Sequence, residues 1–118
     1  MPNTEALQQL RRVVEVAPDI DMRSFENCAA TLAANDPWFQ EQGFKPYRYD
    51  DGSPSVTFDG DRGFNAIYDF FQLDEWGDMA TLFGGNLDDE SRKPTKQEVL
   101  DNIDRVLRGE PPQDYVHG

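Results

Sequence analysis

Apolar side chains recur along most of this chain at the three- and four-residue spacing of one helix face. The first run begins after Asn3 and Thr4, which are both good N-cap residues. It ends at Ala17, because the residue before Pro18 avoids helical backbone angles. The pattern predicts a first helix between these limits, with an apolar face made of Leu7, Leu10, Val13 and Val14.

A second run predicts an alanine-rich helix from about Met22 to Ala34. The residues of its predicted apolar face are Phe25, Cys28, Ala29 and Leu32. Asp36 then suits an N-cap, and Pro37 suits the first position of a short third helix. Gly43 is a natural stop for that helix.

After the third helix, apolar side chains recur at every second residue, which is typical of β-strands. The two alternating runs contain Tyr47 and Tyr49, and then Val56 and Phe58. A turn-rich stretch of residues 50–54 separates them. The pattern predicts one β-hairpin, in which Pro54 limits pairing because it cannot donate a ladder hydrogen bond.

Helical spacing returns after Gly63 and predicts two further helices. Their apolar faces consist of Phe64, Ile67, Tyr68 and Phe71 in the first, and of Trp76, Met79, Leu82 and Phe83 in the second. Residues 86–94 have no periodicity and are predicted to form an exposed loop. A last helix is predicted to begin at Thr95, because Thr95 and Glu98 match the capping box, and to end at Gly109. Its apolar face consists of Val99, Leu100, Ile103, Val106 and Leu107.

Together these elements predict a mainly α fold of five to six short helices with one small inserted β-hairpin. A length of 118 residues suits one domain. The aromatic residues (Phe 8, Tyr 4, Trp 2) bury much area each, so they can close a core although the hydrophobic fraction is only 37%. We expect a single compact domain over residues 1–118 with a mobile tail at residues 110–118.

The formal net charge is −12, and its distribution along the chain is uneven. Residues 46–90 hold eleven acids and two bases, whereas residues 1–45 hold seven and four, and residues 91–118 hold five of each. Such acidity disfavours direct binding to nucleic-acid phosphates or to an anionic membrane surface. It serves either solubility, the more common role, or attraction to a basic protein surface.

The sequence contains one cysteine, Cys28, so no intrachain disulfide can form. No stretch approaches the roughly 18 apolar residues of a membrane-spanning helix, and no basic patch precedes an apolar run at the N-terminus. The expected location is the cytoplasm.

No residue pattern indicates a catalytic, metal or cofactor site. Cys28 lies on a predicted apolar face and the one histidine, His117, is near the end of the chain, which favours a buried structural cysteine over a nucleophile. One cysteine and one histidine also exclude a zinc site built mainly on those ligands. The run from Asp59 to Gly63 resembles a calcium loop in composition, but Gly63 stands where an oxygen ligand is needed. A tight turn or a helix N-terminus explains these glycines more simply.

Several short motifs follow one another in a definite order: Asp21-Met22, Cys28-Ala29-Ala30, Asp36-Pro37-Trp38-Phe39, Gly63-Phe64, Phe70-Phe71-Gln72-Leu73, Leu82-Phe83 and Pro94-Thr95. In this order they resemble a loose group of small bacterial and phage proteins. The resemblance covers most of the chain and implies a bacterial or phage origin, without an activity. Many members of the group carry a signature with two cysteines and a Gly-Trp pair, of which only Cys28 is present here.

Trp76 is open to two interpretations. Its helical spacing favours a place in the core, whereas the acids around it, Asp74, Glu75 and Asp78, suit an exposed interface anchor.

The leading hypothesis is a non-enzymatic acidic protein-interaction module that meets a basic protein surface, for instance that of a nucleic-acid-binding protein. The predicted partner-binding residues are Asp50, Asp51, Asp59, Asp61, Asp74, Glu75, Trp76 and Asp78. A sharper version is a phage or mobile-element inhibitor whose acids mimic nucleic-acid charge. Two alternatives remain open: a small enzyme or small-ligand-binding domain, and a structural or assembly component.

Overall fold

The structure is a computed structural model that describes residues 3–18, 20, 28–73, 75–84 and 95–113. In these residues six helices surround a small antiparallel sheet. The elements in chain order are α1 (Thr4–Val16), α2 (Ala29–Ala34), α3 (Pro37–Glu41), β1 (Lys45–Arg48), β2 (Pro54–Phe58), β3 (Asp61–Arg62), α4 (Phe64–Phe71), α5 (Trp76–Met79) and α6 (Lys96–Leu107). A π-helical turn (Ala80–Gly84) continues α5. None of the described helices has the length and apolar character needed to cross a membrane.

Three helix starts are the ones that local chemistry predicts. The Asn3 side chain accepts a hydrogen bond from Ala6 N at the start of α1, and the Asp36 carboxylate accepts one from Trp38 N at the start of α3. At α6, Thr95 Oγ1 accepts from Glu98 N (3.1 Å) while the Glu98 carboxylate accepts from Thr95 N (2.8 Å). The capping box is confirmed, and each bond satisfies a backbone donor that has no partner within its helix.

The second helix differs from its prediction. Among the described residues α2 begins at Ala29, because Cys28 has extended backbone angles (φ −82°, ψ 171°) and occupies the N-cap position. Cys28 therefore does not lie on the face of a continuous helix, although its burial is confirmed at 4% exposure. The predicted start at Met22 and the face residue Phe25 lie outside the described residues, as does the predicted loop at residues 86–94.

The predicted hairpin is present and carries a third strand. β1 pairs antiparallel with β2, with Tyr47 opposite Ser55, and β2 pairs antiparallel with β3. The chain turns from β2 into β3 through Asp59 (φ 51°) and Gly60 (φ 87°), the positive angles that a tight two-residue hairpin requires. Gly63 then caps the start of α4. The glycines of this run thus serve a turn and a helix start.

The centre of the core is an aromatic cluster around Phe70. Its ring lies 4.9 Å from those of Phe44 and Phe58, 5.7 Å from that of Phe39 and 5.2 Å from that of Phe71, measured between ring centroids. The predicted apolar face of α4 omitted Phe70. Strand β2 and the segment after α3 cover one side of α4, so its buried residues are Ala66, Ile67, Phe70 and Phe71, while Phe64 and Tyr68 are only partly buried.

Candidate protein-interaction surface

Asp50 and Asp51 lie in the loop between β1 and β2, and both are exposed. Tyr49 N donates to the Ser53 carbonyl (3.0 Å), and Gly52 N donates to the Tyr49 carbonyl (2.8 Å). The Asp51 carboxylate accepts from Ser53 Oγ (2.6 Å) and from Ser53 N (2.9 Å). These two bonds, the side-chain bond first, lower the pKa of Asp51 because they favour its charged form. The loop therefore holds a fixed negative charge at the tip of the hairpin.

Asp59 and Asp61 lie at the other end of β2 from the hairpin tip. Asp59 is exposed in the turn and Asp61 is half-buried in β3. β2 has five residues, and each of the four steps between them advances about 3.3 Å. The two ends of the strand, next to which the acids lie, are therefore roughly 13 Å apart. The predicted site residues in the sheet thus form two separate acidic groups rather than one.

Asp69 lies with the acidic group at the β2–β3 turn, although the predicted site did not include it. A hydrogen bond with the Asp61 carboxylate raises the pKa of Asp69, and desolvation and the charges of Asp61 and Asp59 raise it further. Asp61 and Asp69 are separated in the chain by a change from strand to helix, so no periodicity in the sequence signals that they meet.

Trp76 is 47% exposed, so the interpretation that favoured a place in the core is wrong. Its ring packs against that of Tyr68 at a centroid distance of 5.2 Å. Tyr68 is itself only partly buried, which leaves this aromatic pair at the surface. Glu75 immediately before Trp76 is exposed, Asp78 is half-buried, and the neighbouring Asp74 lies outside the described residues.

A groove of about 360 Å³ opens between the start of α5 and the end of α6. Its lining residues are Leu73, Glu75, Asp78, Val106, Gly109, Glu110 and Pro111. Leu73 and Val106 are buried, at 4% and 8% exposure, and provide the apolar part of the lining. The groove therefore brings Glu75 and Asp78, two of the predicted partner-binding acids, together with Glu110 from the far end of the chain, which was not predicted.

The ion pairs within the described residues all involve the two long terminal helices or Glu110 just after α6. They are Arg11 with Glu15 (2.7 Å), Arg11 with Asp104 (2.7 Å), Arg105 with Glu110 (3.8 Å) and Arg108 with Glu110 (3.0 Å). None of them involves a described acid between residues 46 and 84.

Residues 46–84 are called the middle segment below. Its two arginines contact neutral groups instead of acids. Arg48 Nη1 donates to the Gly52 carbonyl at 2.7 Å. The Arg62 guanidinium lies over the Tyr47 ring, 4.6 Å from its centroid, in a cation–π contact. Both arginines thus leave the acids of the hairpin tip and of the β2–β3 turn without an ion-pair partner among the described residues.

The structure also places the residues that bear on other chemistry. Cys28 belongs to the buried core, and its Sγ lies 3.6 Å from Thr31 Oγ1. His117 lies outside the described residues. In the described part of the chain, no group of three or more His, Cys, Asp or Glu side chains is arranged to hold a metal ion.

Comparison with known proteins does not extend this description, since no protein-family model matches the chain and no curated protein or solved structure matches it significantly.

Proposed function

We propose that this chain is a non-enzymatic protein-interaction module whose acids between residues 46 and 84 bind a basic surface of another protein. The observation that carries the proposal is the contrast in ion pairing within the described residues. Glu15, Asp104 and Glu110 are paired with arginines, whereas the described acids of the middle segment have no ion pair. A cationic partner would supply the counter-charges that this segment lacks.

The electrostatics of the β2–β3 turn support the proposal. The raised pKa of Asp69 reflects first its hydrogen bond to Asp61, then desolvation, and then repulsion from the charges of Asp61 and Asp59, and like charges in proximity destabilise the folded chain. A basic partner surface would offset the repulsion on binding. Complementary charges of this kind mainly accelerate association and make it dependent on salt.

The arrangement of the acids bears on the kind of partner. They stand at both ends of β2 and beside the exposed Trp76, and of these acids only Glu75 and Asp78 line the same groove. A spread of negative charge suits a broad basic surface, and nucleic-acid-binding surfaces are broad and basic. In the sharper form of the proposal, the chain is a phage or mobile-element inhibitor that occupies such a surface in place of phosphates.

The test is capture of partners from the native host at low and high salt, followed by titration of the purified partner with the chain. A triple variant, Asp50→Asn, Asp59→Asn and Asp61→Asn, removes three charges and spares Asp51, whose hydrogen bonds hold the loop. We expect binding to weaken about tenfold or more and its salt dependence to flatten. If charge mimicry operates, the unmodified chain also displaces labelled nucleic acid from the partner.

The matched control removes three exposed acids outside the middle segment: Glu5→Gln, Glu41→Gln and Asp101→Asn. It makes the same change in net charge, so a general effect of charge would weaken binding equally in both variants. Equal affinities for the two variants, or binding that is insensitive to salt, would rule out the proposal.

A further inference from the structure

We infer that the groove between α5 and α6 receives an arginine side chain of the partner. This inference rests on the proposed function and names the site and the chemistry of one contact. The groove has an apolar floor and an acidic rim, and each of the two selects a feature of arginine.

The floor suits the aliphatic part of a long side chain. Leu73 and Val106 line it with buried apolar side chains, and Pro111 adds a further apolar wall. At about 360 Å³ the groove lies near the lower end of the roughly 300–1,000 Å³ range of small-molecule sites. It is therefore large enough to admit one extended side chain.

The rim carries more negative charge than the protein neutralises. Glu110 is paired with Arg108 (3.0 Å) and, more loosely, with Arg105 (3.8 Å). Glu75 and Asp78 line the same groove and have no ion-pair partner among the described residues. The groove thus has two carboxylates available for an incoming cation.

The geometry favours a guanidinium over a compact cation. Within the described residues, the carboxylates of the groove belong to no group of three or more side chains that could hold a metal ion. A guanidinium presents several donors in one plane and can reach carboxylates on different sides, whereas an ammonium acts as a point charge.

The test uses the isotope-labelled full chain and three blocked peptides of sequence Gly-Ser-Xaa-Ser-Gly, in which Xaa is arginine, lysine or citrulline. Citrulline has nearly the shape of arginine without its charge. We expect the arginine peptide to shift the amide resonances of Glu75, Asp78 and Gly109 in a saturable way. The lysine peptide should bind more weakly, and the citrulline peptide should cause no saturable shift.

Two double variants of equal charge locate the contact. Glu75→Gln with Asp78→Asn should weaken arginine-peptide binding about five- to tenfold, while Glu5→Gln with Glu41→Gln, two exposed acids outside the candidate surface, should leave it within about twofold. If the groove variant fails to fold, the position of the shifts and the citrulline comparison on the unmodified chain still decide the question.

The outcomes separate this inference from the proposed function. Shifts confined to the hairpin tip or the β2–β3 turn would overturn the groove as an arginine site but would leave an acidic interaction module intact. Equal binding of the citrulline peptide, or no binding of the arginine peptide, would also overturn it. The proposed function fails separately, if partner binding is insensitive to salt or if the triple variant and its matched control bind equally.

Discussion

The side-chain amide of Asn102 forms two hydrogen bonds with the backbone of Gln113, donating to its carbonyl and accepting from its N–H, each 2.8 Å long. Asn102 is 3% exposed, so protein rather than bulk water satisfies its polar atoms. The pair attaches the segment after α6 to the helix. It thereby helps to position Glu110 and Pro111, which form one wall of the groove.

Replacing Asn102 by alanine should destabilise the fold by about 1–3 kcal/mol, since it removes both bonds and leaves the Gln113 backbone groups without these partners. Urea unfolding followed by circular dichroism measures the change. Gln113→Ala is the control, because the bonds use the backbone of Gln113 and not its side chain. If both variants lost stability equally, the loss in Asn102→Ala could not be assigned to these two hydrogen bonds.

Asp69 should make stability dependent on pH in a definite direction. Its pKa is raised in the folded chain, so the folded state binds the proton more tightly, and stability falls as the pH rises from about 4 through the raised value. Asp69→Asn should therefore raise the melting temperature at pH 7, with the gain disappearing below about pH 4. Thermal melts from pH 3 to 7 test this. If the rise in melting temperature persisted unchanged at pH 3, it would not come from the titration of Asp69. Glu41→Gln serves as the control for the loss of an exposed charge.

Truncation to alanine should destabilise the fold much more at Phe70 than at Trp76. Phe70 is 4% exposed at the centre of the aromatic cluster, so its loss should cost about 3–5 kcal/mol. Trp76 is 47% exposed and packs mainly on Tyr68, so Trp76→Ala should cost roughly 1 kcal/mol. Denaturant unfolding compares the two, with Phe70→Leu as a milder change if the alanine variant does not fold. Equal costs would contradict the surface position of Trp76.

The capping box at α6 supplies a further prediction. Thr95→Ala removes the acceptor of the bond from Glu98 N and should cost about 1 kcal/mol. Thr95→Ser keeps the hydroxyl and should retain most of the stability. Urea midpoints of the two variants test the cap, and an equal loss in the serine variant would assign the effect to the lost methyl group instead.

Features that depend on adjacent residues could be predicted from the sequence. The starts of α1, α3 and α6 follow from Asn3, Asp36 and Thr95, because a cap acts on backbone groups two or three residues away. The hairpin and the tight turn at Gly60 follow in the same way from alternation and from turn chemistry.

Features that depend on packing between distant parts of the chain could not be predicted from the sequence. The spacing of apolar residues on α4 does not show which side the sheet covers, and therefore missed Phe70. Asp69 reaches the candidate surface only because β3 turns back onto α4. Trp76 fits the apolar spacing of α5, but Tyr68 covers only part of its ring and leaves it at the surface. Glu110 enters the groove through the return of the chain after α6.

The register of the sheet has a consequence for β1, the outermost strand beside β2 among the described residues. The Val56 carbonyl accepts from Gly63 N, so Val56 directs its backbone hydrogen-bonding groups away from β1. Pro46, opposite Val56, therefore stands at the position whose N–H would point outward, and proline has none. A strand from a second copy would lose a backbone hydrogen bond at the middle of this edge and would meet the charged Lys45 and Arg48 at its ends. The β1 edge of the sheet is thus protected against edge-to-edge growth, and we expect the protein to resist β-type aggregation through this edge at high concentration.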